Sequence, residues 1–376
     1  MVWARLWSPP ASNSSRSIIG NVVCRTVVRI GFVGTGVIAW AHAIGVQAMI
    51  RAGVVDAAVV AVHDLDEERA EGFAAVNGAA VVPSVAAVLE RCDAVWVCTP
   101  TAAHRAVVES AAAVGCAVFC EKPLAPDLAG ARTLAATVES AGVPAQVGLV
   151  LRSAPVFRAL RDLLESEELG PTMTAIFRDD QYFPVQGVYS STWRGDVEVA
   201  GGGCLIEHSI HDLDILRFCL GKVTEVAGRT ANFSGHEGVE DLATVSLQFE
   251  SGASAELVSV WHDILSRGST RRVEVFCRRG MAWLDNDFLG PLHIQTTDGT
   301  EVRPCPPPGW VRDLALGDDD IGLAISAYVE ADRAFLDAVA AGRAPEPSFA
   351  EAVVAHRLVD GAYRSSAAGG TPVAVA

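Results

Sequence analysis

The chain has 376 residues, half of them hydrophobic and a fifth charged, which is long enough for two domains with sizeable cores and excludes general disorder. Its 45 acidic against 29 basic residues give a formal charge of −16, which argues against nucleic acid or an anionic membrane as partner, because both demand clustered positive charge. A neutral or weakly charged small molecule suits this balance better. The nine cysteines, Cys24, Cys92, Cys98, Cys116, Cys120, Cys204, Cys219, Cys277 and Cys305, show no C-x-x-C spacing and fall mostly in apolar runs, the pattern of buried thiols in a reducing cytoplasm.

Residues 1–27, with Pro9-Pro10 and a Ser/Asn-rich stretch, lack a continuous apolar segment and are expected to form a loose tail rather than a signal peptide. Ile30 to Ile50 carry no formal charge, yet Gly31, Gly34 and Gly36 interrupt the run near its start, so strand, tight turn and helix are expected in place of a membrane span. Short apolar runs at 30–33, 59–62, 94–98 and 117–120 alternate with helical patterns at 37–52, 67–77, 104–114 and 127–141. This is a βαβ series, hence a doubly wound parallel sheet over residues 28–150.

The first turn of that series reads Gly34-Thr35-Gly36-Val37-Ile38-Ala39, a G-x-G-x-x-A pattern between strand and helix. The first glycine permits the turn, the second lets a pyrophosphate approach the backbone, and the helix N-terminus faces the phosphates. Asp64, at the end of the second strand, would accept a ribose 2′-hydroxyl and repel a 2′-phosphate, which favours NAD over NADP; its alternative role is to cap the helix that follows. Thr99 and Pro100 end the fourth strand, and Glu121-Lys122-Pro123 end the fifth, all on the carboxyl edge where such folds bind ligands. His104 opens the next helix, as cofactor contact or as a structural residue. Lys122 is one of only two lysines, with Lys222, in a chain that otherwise uses arginine. An amine kept against that bias suggests proton chemistry, since an ammonium can lose its proton when buried and a guanidinium cannot.

After about residue 150 the pattern changes to one-sided alternation, Val245, Leu247 and Phe249 against Thr244, Ser246 and Gln248, and Val273, Val275 and Cys277 against Arg272, Glu274 and Phe276. The expectation for 151–376 is an α+β domain on a large, mainly antiparallel open sheet with one covered face. Residues 304–309 form a proline-rich loop, and 321–341 and 349–365 close the chain as helices. Within this half, Gly201-Gly202-Gly203 opens a segment expected to be one helix, with Ile206, Ile210 and Leu213 buried and Glu207 and His211 sharing a face at i, i+4. The glycines would let the helix start approach a flat ligand. An imidazole beside a carboxylate suits proton transfer near neutral pH. The competing reading is a metal site from His208, His211, Asp212 and Asp214, although these side chains fan around a helix and no further ligand motif follows.

In this order the glycine turn, Thr99-Pro100 through His104, Glu121-Lys122-Pro123 and the glycines leading to His211 resemble the Gfo/Idh/MocA family, from about Val28 to Tyr363. The resemblance implies a Rossmann domain followed by an α+β domain whose open sheet joins dimers or tetramers. It implies NAD as cofactor, a sugar, inositol or related polyol as substrate, Lys122 beside the reacting hydroxyl and His211 as proton acceptor. Glu207, where many members have aspartate, joins them as a catalytic candidate, and Trp193, Arg194 and His208 are candidate substrate contacts. Two other activities are compatible with such a resemblance: a glycosidase that uses NAD transiently, and a dinucleotide-binding sensor without turnover.

Overall fold

A computed structural model describes residues 27–317 and 320–375; the expected tail at 1–27 lies outside them but for its last residue. The βαβ series folds as β1 (Val28–Val33), α1 (Val37–Arg51), β2 (Ala57–His63), α2 (Glu67–Asn77), β3 (Ala80–Val81), α3 (Val85–Leu89), β4 (Ala94–Val97), α4 (His104–Ala113), β5 (Ala117–Cys120), α5 (Leu128–Ala141) and β6 (Ala145–Val147). All six strands run parallel in the order β3-β2-β1-β4-β5-β6. β4 and β5 are buried at every residue, which is why they read as unbroken apolar runs. Because β1 lies between β2 and β4, the order reverses there, and the loops leaving β1 and β4 flank a crevice at the sheet's carboxyl edge. The two short strands β3 and β6 are not among the apolar runs, since two or three residues carry no period.

The second half contains α6 (Pro155–Glu165), β7 (Thr172–Tyr182), α7 (Val197–Ala200), α8 (Cys204–Glu207), α9 (Ile210–Leu220), β8 (Val223–Ala231), β9 (Leu242–Phe249), β10 (Ser254–His262), β11 (Thr270–Cys277), β12 (Gly280–Leu284), β13 (Leu292–Thr296), β14 (Gly299–Arg303), α10 (Gly309–Arg312), α11 (Asp320–Ala340), α12 (Phe349–Ala367) and β15 (Val373–Ala374). Nine strands form one sheet in the order β14-β13-β12-β11-β7-β10-β9-β8-β15. Its pairings are antiparallel except β7 with β10. The alternation is realised as expected: Val245, Leu247, Val273, Val275 and Cys277 are buried, while Thr244, Gln248 and Arg272 are exposed on the other face. Helices α6, α8, α9 and α12 pack on the buried side. Among the described residues no helix covers the opposite face, where Ile176 is 45% exposed and Trp283 stacks on His293 at a centroid separation of 4.9 Å.

The chain then returns to the first sheet. α11 lies along α1, and Phe335 closes edge-on against Trp96 and Phe119, which stack on each other at 5.7 Å. A segment more than 170 residues downstream of β6 thereby completes the core of the first sheet. No described helix is long and apolar enough to cross a membrane, and the run from Ile30 to Ile50 is β1, a turn and α1.

Candidate functional site

The glycine turn is built as its pattern requires. Gly34 has φ +85°, and a Cβ there would lie 2.6 Å from the Cys98 carbonyl oxygen, so only glycine brings the loops after β1 and β4 this close. Gly36 precedes α1 with φ −70° and ψ −174°, no side chain caps it, and an added Cβ would meet nothing within 4 Å. Val37 and Ile38, partly exposed in the first turn of α1, and Ala39, fully buried, follow. The first N–H groups of a 15-residue helix therefore open onto free space, a cradle for an anion.

Asp64 ends β2 beside this turn. Its Oδ2 accepts the backbone N–H and the hydroxyl of Thr35 at 2.7 and 2.8 Å, and its Oδ1 accepts the N–H of Asp66 at 2.9 Å. Burial pushes its carboxyl up, but the bonds from Asp66 and Thr35, with Arg69 nearby, outweigh it and hold the carboxyl below its ordinary value. The cap of α2 is Asp66, which accepts from Arg69 N–H, so Asp64 is left facing the turn.

From β4, Thr99 leaves its hydroxyl oxygen buried without a partner, and Pro100 begins a single 3₁₀ turn, Thr101–Ala103. His104 is 1% exposed, with Nε2 3.0 Å from the Thr99 carbonyl oxygen and Nδ1 3.3 Å from that of Leu124. It braces the β4 loop against the segment after β5; burial lowers its imidazole, and one ring N–H serves one carbonyl at a time. From β5, Glu121 and Pro123 are buried and Lys122 is partly exposed, the Lys122–Pro123 peptide being cis. Lys122 Nζ donates to the Glu207 carbonyl oxygen at 2.6 Å. Burial lowers its ammonium, partly countered by the Glu207 carboxylate.

The continuous helix expected from the three glycines does not form. α8 ends at Glu207, His208 leaves the helical region with φ −125° and ψ −62°, and α9 starts at Ile210, so Glu207 and His211 do not pair at i, i+4. The glycines also face protein rather than a ligand. A Cβ on Gly201 would lie 2.3 Å from the Pro126 carbonyl oxygen, on Gly202 2.6 Å from the Tyr363 hydroxyl, and on Gly203 1.8 Å from the Glu240 carbonyl oxygen. Glu240, itself buried, accepts Gly203 N–H, Leu205 N–H and the Tyr363 hydroxyl, and so caps α8. The role of the glycines is close packing.

Glu207 is 1% exposed and both its carboxylate oxygens are engaged, one by the Thr101 hydroxyl at 2.7 Å, the other by Arg194 Nε at 3.1 Å. Arg194 also stacks on the half-buried ring of Trp193, 4.3 Å from its centroid. His211 is 7% exposed, with Nδ1 buried and unpartnered. Burial, with the Lys122 and Arg271 cations beside it, holds the imidazole well below its ordinary value and so neutral.

Behind His211 lies a cluster that the sequence reading missed. Asp179 and Asp212, both essentially inaccessible, pair with each other and with Arg271, whose Nε donates to Asp212 Oδ1 at 2.7 Å; Asp287 takes another N–H of the same guanidinium at 2.8 Å. His208 Nε2 stands 2.9 Å from Asp179 Oδ2 and 3.1 Å from Arg271. Burial and the neighbouring Asp179 push the Asp212 carboxyl up to about 7, as expected of two carboxyls sharing a proton. Asp214 turns away to Arg152, at 2.5 and 2.6 Å. Of the four residues weighed as metal ligands, His208 and Asp212 share Asp179 and Arg271, Asp214 goes to Arg152 and His211 Nδ1 has no partner, and no metal-holding group of three is found among the described residues. Arg271 was legible in principle: it falls in the covered phase of β11 with Val273 and Val275, where a charge demands a partner.

The parallel sheet brings the glycine turn, Asp64, Thr99, Pro100 and Lys122 to its carboxyl edge, and the charge of Lys122 reaches the imidazole of His211. Residues 28–149 match a model described as "Oxidoreductase family, NAD-binding Rossmann fold", and residues 157–283 match the "GFO/IDH/MocA C-terminal domain". An inositol 2-dehydrogenase of Rhizobium meliloti (strain 1021) is 30% identical over 349 residues, 90% of this chain and 97% of that protein. A D-apiose dehydrogenase of Paraburkholderia graminis is 30% identical over 323 residues, 84% of this chain and 82% of that protein. Among solved structures, levoglucosan dehydrogenase in complex with NADH and levoglucosan superposes with a TM-score of 0.82 at 19% identity, over 93% of this chain and 100% of that one, which speaks to fold alone. A putative myo-inositol dehydrogenase from Sinorhizobium meliloti 1021 superposes at 0.73 with 28% identity, over the same shares.

Proposed function

The chain belongs to the Gfo/Idh/MocA family of NAD-binding oxidoreductases, and we propose that it moves hydride between NAD and a carbinol or carbonyl carbon of a sugar, inositol or related polyol. The observation that carries this reading is the Lys122 ammonium after β5, held on the Glu207 carbonyl, whose field helps to keep the His211 imidazole neutral. The residues present fit the cofactor: the space beside Gly36 would admit a pyrophosphate to the N-terminus of α1, and the partnerless Thr99 hydroxyl lies on the neighbouring loop.

NAD, when bound, accepts the hydride. Gly34, Gly36, Val37 and Ile38 would hold its pyrophosphate, Asp64 a ribose hydroxyl, and Thr99 and Pro100 the side of the crevice nearer the nicotinamide, with His104, Glu121 and Pro123 bracing these loops. Lys122 donates a hydrogen bond to the substrate oxygen. His211 takes the hydroxyl proton as the carbon–oxygen double bond forms, and returns it in the reverse direction. Glu207 acts as a positioning residue, because Thr101 and Arg194 occupy its carboxylate while its carbonyl holds the lysine. Trp193, Arg194 and His208 would supply contacts to the polyol. In this reading residues 28–150 hold the dinucleotide, and 151–376 supply substrate contacts and an oligomer interface.

That interface is the uncovered sheet face, whose Ile176, Phe276 and Trp283 would be costly to leave in water. The described cysteines are all free thiols, which supports a reducing cytoplasm as the setting. The test is a turnover screen with NAD across inositols, aldoses and sugar alcohols, followed by NADH absorbance. NADH formation with one compound class supports the assignment. NAD binding without turnover across the whole panel overturns it.

A further inference from the structure

Next to Lys122 lies a buried triad of ionisable groups, His42, Asp332 and Glu121, of which the reading above uses only Glu121, as a brace. His42, on α1, is completely buried; its Nδ1 is 2.7 Å from Asp332 Oδ1 on α11, and its Nε2 is 2.9 Å from Glu121 Oε1. Trp96 Nε1 donates to the same Asp332 oxygen at 2.9 Å, and the rings of Phe119 and Tyr328 close edge-on upon the imidazole at 4.8 and 5.3 Å. Glu121 is held at its other end too. Its Oε2 accepts the backbone N–H of Lys122 at 3.3 Å, and Gly148 makes room for the carboxylate, since a Cβ there would lie 2.4 Å from Oε1.

An imidazole bonded to two ionised carboxylates satisfies both only when both ring nitrogens carry protons. Burial pulls the His42 imidazole down, but Asp332 and Glu121 more than offset it and push it up to about 10. The other ionisable groups around the triad are the Tyr328 hydroxyl and the Cys98 and Cys120 thiols, all raised by burial and by Glu121 and so uncharged at working pH. Lys122 itself feels Glu207 and Glu121, which favour its charge, and Arg194 and Arg271, which oppose it.

We propose that His42, backed by Asp332, is a positioning residue for Lys122: it pins the Glu121 carboxylate that holds the lysine's backbone, and its positive charge offsets that carboxylate's hold on the ammonium. The proposal rests on the reading of Lys122 as the group at the reacting oxygen. A helix staple would need only the hydrogen bonds. An electrostatic role also sets where Lys122 titrates, and that is what separates the two.

The composition of the chain makes this measurable. Lys122 and Lys222 are the only lysines, and Lys222 is an exposed partner of Glu250 at 3.1 Å, so lysine labelled with carbon-13 at Cε gives two resonances, assigned with Lys222→Arg. His42→Gln removes the positive charge, and Lys122 should titrate higher by about one pH unit. Glu121→Gln removes the negative charge, and Lys122 should titrate lower; the double variant should return close to the unmodified protein. If His42→Gln does not fold, Asp332→Asn serves, because losing that carboxylate lowers the imidazole and shifts Lys122 upward at alkaline pH. With a substrate in hand, His42→Gln should lower kcat roughly tenfold at nearly unchanged NAD affinity. A Lys122 titration unmoved in both single variants, while thermal stability falls, would reduce the triad to a staple and overturn the proposal. A shifted titration with normal kcat would keep the electrostatic link but remove Lys122 from the reacting oxygen, a failure of the functional reading instead.

Discussion

Gly34 and Gly36 stand two residues apart in one turn, and the structure assigns them opposite sensitivities. At Gly36 the backbone is one that any residue adopts and a Cβ meets nothing, so Gly36→Ala leaves the unliganded fold as stable as before, or more stable by about 0.4–1 kcal/mol through a less flexible unfolded chain. The added methyl fills the space a pyrophosphate needs to reach the N-terminus of α1. NAD affinity should fall at least about tenfold, or roughly 1.4 kcal/mol. At Gly34 the order reverses: φ +85° costs a side chain about 1–2 kcal/mol. The Cβ would also press on the Cys98 carbonyl carbon and oxygen at 2.7 and 2.6 Å, backbone atoms that cannot step aside. Gly34→Ala should therefore unfold earlier even without cofactor, by roughly 2–4 kcal/mol. The assay pairs tryptophan-fluorescence titration with NADH and urea unfolding of the unliganded proteins. Gly36→Ala binding NADH within twofold of the unmodified protein would refute the cradle, and Gly34→Ala as stable as its parent would refute the steric argument.

Lys122→Arg, Lys122→Ala and His211→Ala should keep NAD binding and lose about a hundredfold or more in turnover, the arginine variant nearly as badly as the alanine, since a planar guanidinium cannot replace a compact amine in contact with the Glu207 carbonyl; NAD affinity falling in step with activity would assign these residues to the cofactor site instead. NAD should bind more tightly than NADP, and Asp64→Ala should narrow the gap while loosening the turn it ties through Thr35, with equal affinities in the unmodified protein counting against the assignment. The Asp212 carboxyl is raised to about 7 in the folded chain, above its unfolded value near 4, so its contribution to stability is complete below about pH 4 and is lost as pH rises through about 7. Asp212→Asn, which copies the neutral form, should flatten the decline in urea midpoint between pH 5 and pH 8, and an identical decline in both proteins would show that the carboxyl pair does not share a proton. Light scattering at micromolar concentration should give a dimer or tetramer mass, and a monomer mass would remove the open sheet face as an interface.

The first half of the site could be read along the chain because its chemistry is local. A glycine turn between strand and helix, a carboxylate ending the next strand and a lysine ending the fifth are each placed by the period of the apolar residues around them. The parallel order then carries those strand ends to one edge without further information. The half supplied by residues 201–214 was legible only as a set of side chains. The pattern Ile206, Ile210, Leu213 suits one helix, and three glycines suit a ligand. The break at His208 and the packing of the glycines on Pro126, Tyr363 and Glu240 follow from segments far away in sequence.

The amino-acid order determined by itself the two kinds of sheet and the dinucleotide turn, and it singled out Lys122 and His211 as candidates, since propensity, period and glycine geometry act within a few residues. Tertiary structure alone decided which charges meet. Arg271 finds Asp212 across 59 positions, Arg194 and Thr101 take up the Glu207 carboxylate, and His42 reaches Asp332 across 290 positions. A buried charge must be paired, but nothing local says with which partner; that choice is made by how α11, β7 and β11 pack, and it decides which carboxylates stay bound and which imidazole is left neutral.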